Sequence, residues 1–145
     1  MVPFTVDMPT LYERFVAQWL DDHLPTPFSA QAQQTVTIHE SPSIQFDVDI
    51  VIRRDSEVVA VADTKYKQRS QPDTSDIEQV VAYAEAYDVE EAYLVYPEDL
   101  STDFEFTVGD IRVRDLQFIL EGDLAANGDS FQSDLLRAIR APLTT

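Results

Sequence analysis

Two strand-like stretches, one directly after the other, constrain this chain more than anything else in it. In SIQFDVDIVIR, the apolar residues Ile44, Phe46, Val48, Ile50 and Ile52 recur at every second position, with Gln45, Asp47, Asp49 and Arg53 among the residues between them. Side chains alternate across a strand, so the pattern predicts a strand with one apolar and one polar face. A turn at Asp55 and Ser56 leads into EVVAVADTKYK, which is apolar on both faces until Asp63. Such a run suits a central strand covered on two sides, and this one turns polar at its end. A three-residue loop of Asp55, Ser56 and Glu57 would set Asp49 opposite Asp63 across the hairpin, whereas a two-residue loop breaks that pairing.

Around this hairpin the other elements can be read in turn. TLYERFVAQWL puts Leu11, Tyr12, Phe15, Val16, Trp19 and Leu20 on one helical stripe, preceded by Pro9 and Thr10. A loop with Pro25 and Pro27 follows, and then TVTIH reads as a short strand. After Pro72, Ser75 and Glu78 have the spacing of a capping box that opens a helix with the stripe Ile77, Val80, Val81 and Ala84. AYLVYP is a second apolar strand, and strand, helix, strand at this spacing is a crossover that sets the strands of Asp63 and Leu94 parallel. Beyond Pro97, FEFTV and IRVRDLQF predict two more strands, and FQSDLLRAIR a closing helix. The expected fold class is α/β, with a core of order αβββαβ, a mixed central sheet flanked by helices, and extra C-terminal strands and a helix.

At 145 residues the chain fits a single domain, 1–145, with its core at about 8–97 and a C-terminal extension at about 98–145. A content of 44% apolar and 10% aromatic residues is enough to fill one core. No apolar run approaches the ~20 residues of a membrane span and no signal-type segment opens the chain, so a cytoplasmic protein without membrane association is expected. The lack of cysteine rules out disulfides and thiolate metal sites, and the two separated histidines, His23 and His39, argue against zinc. Any metal would be bound through oxygen. No glycine-rich phosphate loop followed by lysine, Gly-x-Ser-x-Gly elbow or cysteine nucleophile occurs, so neither nucleotide hydrolysis nor acyl-enzyme chemistry is expected of this chain.

Acidic residues outnumber basic ones 27 to 10, a formal charge of −17, and Lys65 and Lys67 are the only lysines. Proteins that bind nucleic acid ordinarily present a basic surface, so the balance points instead to adaptation to high intracellular salt. At molar salt the Debye length falls to ~3 Å, and only the charges at a site itself act on an approaching polyanion. Lys65, Lys67 and Arg69 gather three of the ten cations into five residues and would meet phosphates there; balancing the acidic surface is the other explanation for them.

The spacing of Asp63 and Lys65 sends both side chains to one face of the strand, with Thr64 and Tyr66 pointing away. Asp49 and Asp63 side by side would repel, and a divalent cation between them is the least costly way to keep both ionised. Oxygen ligands completed by waters suit Mg2+, with Mn2+ as a substitute. Such an ion activates water, and a neighbouring ammonium stabilises charge on a phosphoryl oxygen, so hydrolysis of a phosphodiester is the chemistry expected. The alternatives are a solvated strand face, with Asp47 lying opposite Lys65 in a surface ion pair, and for Glu13 a capping box with Thr10.

Glu13 on the first helix, Asp49, then Asp63-Thr64-Lys65, then Gln79 and Tyr83, resembles the PD-(D/E)xK nuclease core. MPTLYERFVAQWL, DIVI, ADTKYK, EQVVAYAEAY and AYLVYP are similar to the McrC-type nuclease subunit of 5-methylcytosine-specific restriction systems, over roughly residues 8–97. The resemblance implies a restriction-endonuclease-like fold and a metal-dependent DNA endonuclease. It makes Asp49 and Asp63 metal ligands, Lys65 the catalytic lysine, and Glu13 a carboxylate near the metal or its water. Gln79 and Tyr83 become a supporting pair, which a plain helix flank would also explain. Val48 stands where the family often has proline, which leaves Asp47 as a competing ligand. The partners implied are DNA and a GTPase subunit of the McrB type that recognises the modified base, with a homodimer as a further option. A catalytically inactive relative that serves as a DNA-binding or assembly module is the competing expectation.

Overall fold

The computed structural model describes residues 7–37, 45–66, 74–98 and 104–140. The first helix, α1 (Met8–His23), starts from Asp7, whose carboxylate accepts from Thr10 N at 3.3 Å and from Thr10 Oγ1 at 2.8 Å. Pro9 sits in the first turn, where the missing N–H is not needed. Three strands follow: β1 (Phe28–Thr37), β2 (Gln45–Arg54) and β3 (Glu57–Thr64). After them come α2 (Thr74–Tyr87), β4 (Glu91–Tyr96), β5 (Glu105–Val108), β6 (Ile111–Gln117) and α3 (Leu124–Arg140).

One six-stranded sheet runs in the order β1-β2-β3-β4-β6-β5. The β1, β2 and β3 pairings are antiparallel, β3 to β4 and β4 to β6 are parallel, and β5 returns antiparallel on β6. The mixed sheet flanked by helices therefore follows the α/β expectation, including the crossover from β3 through α2 to β4. Helices cover both faces. On one side Tyr12, Val16, Ala17 and Leu20 of α1 and Phe131, Leu135 and Ala138 of α3 pack on Ile50, Ile52, Ala60, Ala62, Tyr93 and Leu116. On the other, Val80, Val81 and Ala84 of α2 pack on Val51, Val61, Ala92, Leu94 and Val113. Consecutive residues of β3 and β4 thus enter opposite layers, and both strands read as unbroken apolar runs for that reason.

Several expectations need correction. The β2–β3 turn is Asp55 and Ser56 alone, with Arg54 opposite Glu57, and Asp55 takes a left-handed φ of 56°. A two-residue turn should have set Asp49 out of register with Asp63, but a β-bulge between Ile52 and Arg53 inserts one extra residue, Val59, on the β3 side. Past the bulge, Ile52 pairs with Ala60 and Ile50 with Ala62, so the intended register is recovered by a different device. Val48 packs with the α2-side cluster and not with Ile50 and Ile52, so the single apolar face expected of β2 is divided. Ile44 lies outside the described residues, as does the Phe46 side chain. The TVTIH strand is the end of a longer β1 that begins at Phe28, with His39 outside the described residues. The closing helix begins at Leu124, where Asp123 accepts from Ala125 N and Ala126 N at 3.1 and 3.2 Å. Ser75 lies inside α2 and not at its cap.

The stripe of α1 is also rotated from its expected position. Leu11 is 52% exposed, while Glu13 is 8% exposed on the face with Tyr12 and Val16. Since Asp7 caps the helix and holds Thr10 itself, the Thr10–Glu13 capping box does not form. Among the described residues, no helix is long and apolar enough to cross a membrane.

Candidate active site

The polar end of β3 lies where α1 and α2 approach the sheet from opposite faces. Beyond Ile50 and Ala62, the β2–β3 ladder gives way to side-chain bonding: Asp49 Oδ2 accepts from Thr64 N at 3.0 Å and from Thr64 Oγ1 at 3.2 Å. Thr64, expected to point away, thus fixes the Asp49 carboxylate with its own hydroxyl and amide. Lys65 N donates to Val95 O at 2.8 Å, extending the β3–β4 pairing one residue past the strand and holding the lysine backbone in place.

The Asp49 and Asp63 carboxyls interact directly, and Glu13 of α1 acts on Asp49. Asp63 is 3% exposed. Burial, and then the neighbouring Asp49, push its carboxyl up to about 8, although Lys65 acts in the opposite direction. Asp49 is likewise raised, first by burial and further by Glu13, with Asp63 and Thr64 offsetting part of the effect. Without a cation, the two acids retain a proton near neutral pH.

Lys65 is half-buried, with Nζ 2.8 Å from Asp63 Oδ2, 3.2 Å from Asp76 Oδ1 and 3.0 Å from Gln79 Oε1. Burial lowers its pKa, but Asp63 and Asp76 outweigh that effect and hold it above its ordinary value. The ammonium can only donate, so it fixes Gln79 Oε1 on its own side, and Gln79 Nε2 in turn donates to Tyr83 Oη at 2.7 Å. The structure therefore brings together Glu13, Asp49, Asp63, Lys65, Gln79 and Tyr83. Lys67 and Arg69 lie outside the described residues. Asp47 sits in β2 opposite Thr35, and its side chain lies outside them as well.

Asp76 and Thr64 are the site residues that the sequence did not mark. Asp76 is 4% exposed in the first turn of α2, a position common for acids because the helix dipole favours negative charge there, so its composition carried no distinct signal. Thr64 was hidden by strand alternation, since the ladder ends one residue earlier than regular pairing suggests.

A hard divalent cation suits this donor set. Asp63 Oδ2 is buried and has no hydrogen-bond partner, the Lys65 ammonium standing 2.8 Å away as its counter-charge. Among the described residues, no group of three or more acidic, histidine or cysteine side chains is disposed to hold a metal by itself. Hard carboxylate oxygens are the ligand type that Mg2+ takes. Asp49 and Asp63 are the residues that would hold it.

No curated protein matches the chain. The sequence model of the McrBC 5-methylcytosine restriction system component family matches residues 2–97, about two thirds of the chain. The hairpin, both helices that contribute to the acidic cluster, and the strand after them all fall within that match, and the chain belongs to the family of McrBC 5-methylcytosine restriction system components.

Proposed function

We propose that the chain is the nuclease component of a modification-dependent restriction system and hydrolyses DNA phosphodiesters with Mg2+, its core being of the PD-(D/E)xK, restriction-endonuclease-like type. One observation carries the reading: Asp49 and Asp63, from the two arms of one hairpin, meet in a buried cluster with Glu13 while Lys65 stands 2.8 Å from Asp63. Two adjacent acids, one buried and one half-buried, both held above the ordinary carboxylate range, cost a fold stability, and such perturbed groups concentrate at functional sites.

Asp49 and Asp63 would hold the cation, which would supply activation of the attacking water and charge neutralisation at the phosphoryl group. Lys65 presents its ammonium to the phosphate oxygen on which charge builds. Glu13, beside Asp49, orients the attacking water and receives its proton. Gln79 and Tyr83 hold the lysine, and Lys67 and Arg69 supply phosphate contacts. Nucleotide hydrolysis belongs to a GTPase partner, since this chain has no phosphate-binding loop, and the family resemblance assigns recognition of the methylated base to that partner as well. A second reading, as a DNA-binding or assembly module, is favoured by the Lys65–Asp63 ion pair, which occupies both residues without any metal.

Incubating methylated plasmid with the chain and Mn2+ or Mg2+, with and without the GTPase partner, tests the proposal. Cleavage that needs the metal and falls at least 100-fold in Asp49→Asn and Asp63→Asn is the expected result, the scale typical of losing a transition-state charge stabiliser. Metal-independent DNA binding that both variants retain, with no cutting, selects the module instead.

A further inference from the structure

We infer that Asp76 is a positioning residue for Lys65: from the first turn of α2 it supplies the counter-charge that keeps the ammonium in place when Asp63 turns to a cation. The inference rests on the nuclease reading and adds a residue that neither the acidic cluster nor the family match assigns. An ammonium has three N–H groups, and three oxygens stand around Lys65 Nζ, from Asp63 at 2.8 Å, Gln79 at 3.0 Å and Asp76 at 3.2 Å. These three do not share one fate. Asp63 belongs to the carboxylate pair, and any positive ion between Asp49 and Asp63 competes with Lys65 for the Asp63 lone pairs. Lys65 would then be a half-buried cation beside a divalent one, with repulsion driving it outward.

Asp76 and Gln79 come from a different element and are not in the pair. They are one helical turn apart, so one rigid surface of α2 presents a charged and a neutral acceptor to the same Nζ. Gln79 offers a dipole only, and its amide is committed through Tyr83. Asp76 alone of the two carries a full negative charge, and at this helix position the dipole favours it. Its burial makes that charge costly unless a partner accompanies it, and the Lys65 ammonium at 3.2 Å is such a partner. The arrangement leaves Lys65 able to exchange Asp63 for a phosphate oxygen by a small movement while two anchors remain.

Lys65 and Lys67 are the only lysines, so a protein labelled with 15N-lysine has two ammonium signals, and Lys67→Arg assigns them. In the metal-free wild-type protein, Lys65 should give a sharp, slowly exchanging ammonium signal. Asp76→Asn, which keeps the shape and removes the charge, should broaden or abolish it, and Asp76→Glu should restore part of it. With Mn2+ and plasmid, Asp76→Asn should lower kcat roughly 10- to 100-fold while KM for DNA and Mn2+ affinity stay unchanged, the scale seen when the partner of a working group is removed. An unchanged Lys65 signal in Asp76→Asn, or no protected signal in the wild-type protein, overturns the inference, as does unaltered kcat. If the wild-type chain cuts nothing under any condition, the nuclease reading falls, and the metal-free spectra still decide whether Asp76 holds the ammonium.

Discussion

At the scale of single residues, Asp63 contributes to how the metal-free protein responds to pH. Its folded-state pKa of about 8 lies above the ordinary value of 3.8, so between those limits the unfolded chain has lost a proton that the folded one keeps. Raising the pH through this window therefore favours unfolding: the contribution to stability is complete below about 4 and gone once the pH has passed the folded value. Thermal midpoints of the metal-free protein should fall from pH 5 to pH 8.5, and Asp63→Asn, which cannot ionise, should flatten the slope; an equally steep slope in the variant would contradict the assignment. The pairing of Asp63 with Lys65 could be read from their spacing, because strand alternation is a short-range rule. Glu13 could be read two ways until the helix start was known. Asp7, not Thr10, caps α1, and that choice turns Glu13 toward Asp49. Asp76 escaped notice because its partner is set by tertiary packing, with no sequence period that links residues 65 and 76.

Among the elements, the hairpin and the crossover helix were legible because their apolar periods are regular, and the C-terminal helix was legible only in its second half. Leu124–Asp129 has one large apolar side chain, too few to show a helical period, and Gly128 argues against helix by propensity. The structure shows what Gly128 is for: a Cβ built there would lie 2.3 Å from Trp19 Cζ2, so α1 and α3 meet face to face at a residue without a side chain. Trp19 is itself stacked on His23 at 4.0 Å between ring centroids and set edge-on to Phe118, so its ring has little room to withdraw. Gly128→Ala gains about 1 kcal/mol of helix propensity and loses about 1–3 kcal/mol to overpacking, so a net loss of stability is expected. Chemical denaturation measures it, and a midpoint at or above wild type would show that the ring yields. The bulge at Val59 has no sequence signature, since nothing in EVVAVAD marks which residue is extra. The right facing of Asp49 and Asp63 was thus expected for the wrong reason.

For the molecule as a whole, the charge of −17 sets how the fold responds to salt. Self-repulsion among exposed carboxylates opposes compaction, and screening at molar ionic strength removes most of it, while buried contacts such as Lys65 with Asp63 are screened far less. The unfolding midpoint should therefore rise as KCl is taken from 0.1 to 2 M, on the order of the Debye length falling from ~10 Å towards ~3 Å. A flat or falling midpoint would separate the acidic composition from salt adaptation. The sheet order sets β6 on the far side of β4 from the strands that carry the acids, and among the described residues neither it nor α3 contributes a group to the cluster. Leu116, Phe118, Phe131 and Leu135 supply a large part of the apolar layer beneath α1. Among the described residues every group of the acidic cluster lies before residue 98, so substitutions that loosen β6 or α3 should lower the unfolding midpoint and leave the spacing of Asp49, Asp63 and Lys65 as it was.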